Sequence, residues 1–410
     1  MEGDFIKINE WLVPLSWLYG VGVKLRNLLF ETGVLKSRSF QVPVISVGNI
    51  TVGGTGKTPH VEYLIELLRD KFKVAVLSRG YKRKSRGYIL ADDSSTESDI
   101  GDEPFQMKQK YADISIAVDK DRCHGIDQLT DNDKKLDVIL LDDAFQHRYV
   151  KPGINILLVD YHRLIIYDRL LPAGRLREPL SGKNRADIVI ITKCPHDLKP
   201  MEFRVITKAM DLYPYQHLFF TTLEYKPLRQ LFIDADDAAV MADNGPLFAN
   251  AKPEPRQRPL SSLRSGEHVL LLTGIASPKQ MIHDITPYTT HIHPLTFADH
   301  HRFTPKDIDS INSTFAALPS PRIIITTEKD ATRLNDVAEA LSDDVRRNIY
   351  VLPLKIKFMQ EQDNMFNENI IGYVRKNSRN SILAKRKDDH KPKDSHRSGN
   401  RPQTISFRNN

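Results

Sequence analysis

The chain has 410 residues, with 59 Lys and Arg against 52 Asp and Glu, and only two cysteines. That length holds two domains with full cores. Cys123 and Cys194 stand far apart, outside any C-x-x-C pair, which excludes a disulfide framework and a cysteine zinc site. The net charge of +7 sits in one place: residues 376–410 carry ten basic and three acidic residues, leaving 59 − 10 = 49 basic and 52 − 3 = 49 acidic elsewhere. A neutral body argues against a nucleic-acid-binding face. The polar segment 376–410 reads as a disordered basic tail, suited to weak adhesion to anionic headgroups or to no role beyond solubility.

Met1 to Glu10 lacks a basic stretch ahead of the apolar run and does not read as a signal peptide. Trp11 to Val23 is uncharged over thirteen residues, short of the roughly twenty that a membrane span needs. Both tryptophans fall here, with Lys24 and Arg26 following, a composition that fits either a helix lying at a bilayer interface or a buried N-terminal helix.

Val42 to Val47 is a β-branched run that predicts a buried strand, and a helical pattern begins near Thr58. Between them lie Thr51-Val52-Gly53-Gly54-Thr55-Gly56-Lys57-Thr58. Strand, glycine-rich loop and helix N-terminus present converging amides to a phosphate. Lys57 would reach the outer phosphates and the Thr58 hydroxyl would ligate Mg²⁺. Thr51 stands where the usual phosphate loop begins with glycine.

Lys73–Ser78 reads as the next strand, ending in the basic loop Arg79-Gly80-Tyr81-Lys82-Arg83-Lys84, which suits either solvent or an anionic ligand. Ala91–Ile100 reads as an exposed acidic turn, and Asp102-Glu103-Pro104 opens a helix. Ile114–Val118 is a short strand. Leu136–Leu141 is an apolar strand ending in Asp142-Asp143, which after a phosphate loop makes a Walker B pattern for Mg²⁺. Ile154–Asp160 and Ile188–Thr192 complete a set of near-continuous apolar strands, the mark of a parallel sheet covered on both faces. The loop Leu170–Pro179 carries Arg175 and Arg177, which could clamp phosphate oxygens.

A second region starts near Glu224. Ala238–Arg264 reads as a surface excursion, and His268–Thr273, Arg322–Thr327 and Ile349–Lys357 as three more strands. Phe297-Ala298-Asp299-His300-His301-Arg302-Phe303 pairs histidines with a single acid, which fits proton handling better than zinc.

Taken together, VGNITVGGTGKTP (47–59), LSRGYKR (77–83), GDEPFQM (101–107), LDDAFQHR (141–148), LLPAGRLREPL (170–180), FADHHRF (297–303) and TTEKDATRL (326–334) resemble the tetraacyldisaccharide 4′-kinase family. The resemblance spans about residues 10–360. It implies an α/β fold: a P-loop NTPase-like parallel sheet core, a second smaller α/β lobe and an N-terminal interfacial helix. The corresponding division is an interface helix over 1–37, a core over 38–224, a second lobe over 225–375 and the tail over 376–410. The implied reaction moves the γ-phosphate of ATP, with Mg²⁺, to the 4′-hydroxyl of a tetraacylated glucosamine disaccharide 1-phosphate, a lipid met at the cytoplasmic face of the inner membrane by a peripheral protein.

By the same resemblance, residues 51–58 bind the nucleotide, and Thr58, Asp142, Asp143 and Glu103 are the metal ligands. Asp102 is the catalytic carboxylate, with His300 in preference to His301 as its partner. Arg122, Gln146, His147 and Arg175 contact phosphate or disaccharide. The rival reading is a membrane-associated P-loop ATPase switch. Such switches place a lysine just before the glycine pair, where this chain has Val52.

Overall fold

The computed structural model describes residues 8–232, 255–274, 278–298 and 301–388. The first lobe is built on β1 (Val44–Gly48), β2 (Val74–Ser78), β3 (Ile89–Leu90), β4 (Ser115–Val118), β5 (Val138–Asp142), β6 (Ile154–Asp160), β7 (Ile188–Thr192) and β8 (His217–Tyr225). The second is built on β9 (Leu228–Gln230), β10 (Gln257–Arg258), β11 (His268–Thr273), β12 (Ile292–Thr296), β13 (Arg322–Thr326) and β14 (Ile349–Val351). The last strand, β15 (Leu354–Phe358), returns to the first sheet, whose order is β15-β8-β7-β6-β1-β5-β2-β4-β3; the second runs β10-β9-β14-β13-β11-β12. In the large sheet only the edge strands β3 and β15 run antiparallel to their neighbours.

The central strands β1, β2, β5 and β7 are buried at every position, because helices cover both faces of the sheet. The covering helices are α1 (Val13–Glu31), α2 (Lys57–Leu68), α3 (Glu97–Ile100), α4 (Asp102–Lys110), α5 (Arg122–Asn132) and α6 (Pro200–Met210). The second lobe adds α7 (Pro278–Ile285), α8 (Pro305–Ala317), α9 (Glu328–Asn335) and α10 (Asp343–Asn348), and α11 (Asp363–Asp388) closes the described chain.

Three expectations change. Ile349–Lys357 is not one strand: Val351 ends β14 in the second sheet and Leu354 opens β15 in the first, with Leu352-Pro353 as the crossing. Proline lacks the N–H that a continuing ladder needs. The segment after the crossing therefore belongs to the first lobe, and Phe366, Ile370 and Val374 of α11 pack into its core beside Phe219 and Phe358. The helix also continues through Lys376 to Asp388, where a disordered tail was expected to begin; residues 389–410 lie outside the described residues. Finally, Ala91–Ile100 is not wholly exposed. Its end forms α3, capped reciprocally by Thr96 and Asp99, and Ile100 is fully buried in the core. The Ala238–Arg264 excursion falls largely outside the described residues.

Candidate active site

The parallel register brings the chemistry to one edge. Val47 of β1 lies opposite Asp142 of β5, so the loop after β1 and the acids after β5 emerge side by side. Gly53 and Gly56 hold the positive φ values of 122° and 77° that this loop needs to turn its amides inward. Thr51, in place of the usual glycine, is buried and bridges Leu176, an extended role that needs no glycine. The Val52 N–H donates to the Arg175 carbonyl at 2.8 Å, and Arg175 Nη1 lies at the edge of contact with Gly53. The Arg175 side chain is exposed over the loop, where a phosphate oxygen can meet it.

Several braces on this loop had no recognisable motif. Asn49 donates to the buried Thr55 hydroxyl at 2.9 Å, and Thr192 donates to the Thr55 carbonyl at 3.0 Å. Lys193, on the next strand but one, donates to the Gly54 carbonyl and pairs with Asp160 at 2.8 Å. His60 faces the Gly56 carbonyl through Nδ1 at 2.7 Å and the Thr221 hydroxyl through Nε2 at 3.1 Å. A carbonyl only accepts, so Nδ1 carries a proton, and at neutral pH it is the ring's single one because burial disfavours the charged form. Burial pushes its pKa down to about 4, against the smaller upward pull of the Gly56 carbonyl.

That shift predicts a pH effect. Below pH ~6.5 the unfolded chain protonates His60 while the folded chain does not until about pH 4, so stability present above 6.5 is lost across that window. The ceiling is about 3 kcal/mol. The His60→Gln variant is expected to lose less of its thermal midpoint than the wild type between pH 6.5 and 4. His147, likewise pushed down to about 4 mainly by burial, adds a slope common to both proteins.

Lys57 Nζ lies 3.6 Å from Asp143, and Asp142 is buried with one oxygen accepting from Ser78 at 3.0 Å and the other, Oδ1, without a partner. Burial raises the Asp142 pKa, and the nearby Glu103 and Asp143 raise it further against the pull of Lys57. Three carboxylates against one lysine, with an orphaned buried oxygen among them, make a hard-oxygen set that fits a divalent cation. Glu103 itself pairs with Lys329 of the second lobe at 3.5 Å.

Asp102 opens α4 directly after Gly101, whose φ is 91° and whose added Cβ would stand 2.8 Å from the Tyr81 carbonyl. Only glycine allows α4 to begin this close to the end of β2, which sets Asp102 and Glu103 over the sheet edge. The second-lobe partner seen at Asp102 is Arg333 of α9, whose Nη2 donates at 2.6 Å. His300 lies outside the described residues. His301 is engaged elsewhere: Nε2 contacts Asp307 at 2.9 Å and the ring stacks on Phe297.

The remaining expected contacts divide. Arg122 is 2 % exposed; it donates to the carbonyls of Asp119 (2.7 Å) and Asp142 (3.1 Å), so it braces the end of β5 from below. Gln146 joins Arg177 and Glu178 at 3.3 and 3.4 Å, beneath α1. His147 keeps a buried Nε2 with no partner. In the basic loop, Arg83 donates to Gly87 and Val118 carbonyls and shapes the turn, while Arg79 is exposed.

Helix α1 is attached through the same loop that braces the phosphate loop. Ser16 donates to the Leu170 carbonyl (3.0 Å) and accepts from the Ala173 N–H (2.9 Å), and Tyr19 donates to the Arg177 carbonyl (2.9 Å). The outward side of α1 and of the 3-10 turn before it (Glu10–Leu12) is apolar: Trp11 is 92 % exposed, Trp17 77 % and Leu18 72 %. No helix among the described residues is long and apolar enough to cross a membrane.

A phosphate loop on the central strand, paired acids on its neighbour and a second α/β lobe reaching the acid at α4 define a two-lobed P-loop nucleotide-binding protein. Comparison with known proteins is specific. A family described as Tetraacyldisaccharide-1-P 4′-kinase matches residues 8–372, and the chain belongs to that family. The tetraacyldisaccharide 4′-kinase of Phocaeicola vulgatus is 57% identical over 94% of this chain and all of that one. That of Bacteroides fragilis is 53% identical over 95% of this chain and all of its own length. The crystal structure of LpxK from Aquifex aeolicus, described as an "apo" form in complex with ATP, aligns with a TM-score of 0.64 at 28% identity, covering 88% of this chain and 98% of that one.

Proposed function

We propose that the protein moves the γ-phosphoryl group of ATP to the 4′-hydroxyl of a tetraacylated glucosamine disaccharide 1-phosphate, acting peripherally at the cytoplasmic face of the inner membrane. The observation that carries this reading is the meeting of Lys57, Asp142, Asp143 and Asp102 at one sheet edge, beside a loop pinned to the apolar-faced α1. A membrane-associated P-loop ATPase switch has no use for a second pair of acids, Asp102 and Glu103, held beside the phosphate loop against a second lobe.

Phosphoryl transfer asks chiefly for positioning and charge neutralisation. The amides of residues 53–58 and Lys57 hold the outer phosphates, and Arg175 adds a cation over the loop. Thr58, Asp142 and Asp143, with Glu103 at the margin, would hold Mg²⁺, which when bound neutralises charge on the phosphates. Asp102 accepts the 4′-hydroxyl proton as the sugar oxygen bonds to the γ-phosphorus and the bond to the β-phosphate oxygen breaks; ADP leaves.

Mass spectrometry of the lipid after incubation with ATP and Mg²⁺ tests the activity. Gain of one phosphoryl group on the 4′ side supports it, and unchanged lipid alongside accumulating ADP contradicts it. The metal assignment carries its own expectation: Asp143→Asn lowers kcat and moves the Mg²⁺ activation curve to higher concentration. A curve that overlays the wild type removes Asp143 from the metal site.

A further inference from the structure

Arg333 is 4 % exposed, and an arginine is buried at such a position only when its charge is matched. Among the described residues two acids match it, from different lobes. Asp330, one turn earlier on α9, is fully buried and meets Arg333 Nη1 at 3.3 Å. The other oxygen of Asp330 accepts from the Gly274 N–H at 2.9 Å and the Thr327 hydroxyl at 2.7 Å, which ties it to the end of β11 and to the cap of α9. The guanidinium is thus fixed within the second lobe before it reaches the first. There, Nη2 takes the Asp102 carboxylate at 2.6 Å.

Further pairs register the two helices along their length: Lys329 with Glu103 at 3.5 Å, and Glu328 with Lys110 at 3.0 Å, Lys110 also holding Glu62 of α2. On the far side Arg302 lies 3.7 Å from Glu97 of α3.

We propose that Arg333 is a positioning residue for Asp102: anchored by Asp330, it aims the Asp102 carboxylate from the second lobe, so that the acceptor side of the site is assembled only while the lobes are docked. This rests on the reading of Asp102 as the group that takes the acceptor proton. Arginine keeps its proton at any working pH, so it acts by orientation and not by exchanging protons itself. An error of about 1 Å in a catalytic group costs up to about 100-fold in rate. Its described ion pairs run to Asp102 and Asp330, both outside the phosphate loop, so its loss is expected to act on transfer rather than on nucleotide affinity.

The test measures kcat and the KM for ATP in Arg333→Gln, Arg333→Lys and Arg333→Gln/Asp330→Asn, the last removing the anchoring charge as well and so guarding against a fold lost to an unmatched buried acid. The expected result is a fall in kcat of about tenfold or more in both Gln-containing variants, with the KM for ATP within about twofold of the wild type. Arg333→Lys recovers most of the loss, and adding Arg333→Gln to Asp102→Ala causes no further loss. Equal fold-losses in the wild-type and Asp102→Ala backgrounds overturn the proposal, as does a raised KM for ATP at unchanged kcat. A fully active Asp102→Ala overturns instead the reading of Asp102 itself, whatever Arg333 does.

Discussion

Asp102→Ala is expected to lower kcat by about 10²–10⁴-fold, the usual worth of a positioned proton acceptor, with the KM for ATP close to the wild type. Lys57, the glycines and the acids of β5 are all untouched by the change, so donor binding persists while transfer fails. The alanine also strips Arg333 of a carboxylate partner, and removing one partner of a buried pair costs about 3 kcal/mol or more. Asp102→Asn separates the two effects. It leaves an oxygen for the guanidinium but removes the charge and the proton acceptor, so its thermal midpoint falls less than that of the alanine variant while kcat falls as far. Steady-state kinetics with ATP and lipid varied separately, beside a melting curve, check both halves. A well-folded Asp102→Asn with wild-type turnover would end the assignment.

The second large effect belongs to α1. Trp11, Trp17 and Leu18 are exposed and contribute nothing to the core, so replacing all three by serine leaves the fold intact. Each such side chain gains up to about 1.5–3 kcal/mol on leaving water. Even with partial immersion, the triple variant is expected to bind phospholipid vesicles at least ~100-fold more weakly, and its KM for vesicle-borne acceptor rises correspondingly. Turnover on an acceptor dispersed in detergent changes little. Vesicle sedimentation at several lipid concentrations measures the first effect, and unchanged sedimentation contradicts an interfacial α1. Because Ser16 and Tyr19 tie α1 to the Leu170–Arg177 loop, and that loop braces Val52 and overlies Gly53, docking would hold the phosphate loop at a defined height above the lipid.

The strand, glycine loop and helix start around Lys57 were legible in the sequence because that geometry is local. Gly53, Gly56, Lys57 and Thr58 fall within one strand-to-helix turn, and the apolar run into Asp142 announces both the strand and the acid at its end. Residues whose roles depend on distant partners were not legible in the same way. Arg122, at the start of α5, was expected from the resemblance to contact phosphate or disaccharide, but the fold turns it under β5. His60 and Lys193 stand in plain segments, and the contacts of His60 with Thr221 and of Lys193 with Gly54 exist only because β7 and β8 lie beyond β1 and β6. Arg333 sat within a recognisable motif, yet nothing local could say that Asp102 lay across the lobe boundary. The crossing at Leu352-Pro353 was hidden for a similar reason: two short apolar strands in succession have the pattern of one, and only the proline between them hints at two sheets. The C-terminal helix shows the opposite failure. A charge-rich composition suggested disorder after Lys376, but a helix already anchored through Phe366, Ile370 and Val374 runs on to Asp388.

The measurement that tests the account most directly follows the label from γ-labelled ATP in a single turnover, with wild type and Asp102→Ala run in parallel on vesicles containing the disaccharide 1-phosphate lipid. The account predicts that the wild type places the label on the lipid 4′-oxygen, while Asp102→Ala binds ATP and leaves the label in place on the same timescale. Label released as inorganic phosphate at equal rates by both proteins, with none on the lipid, would contradict it.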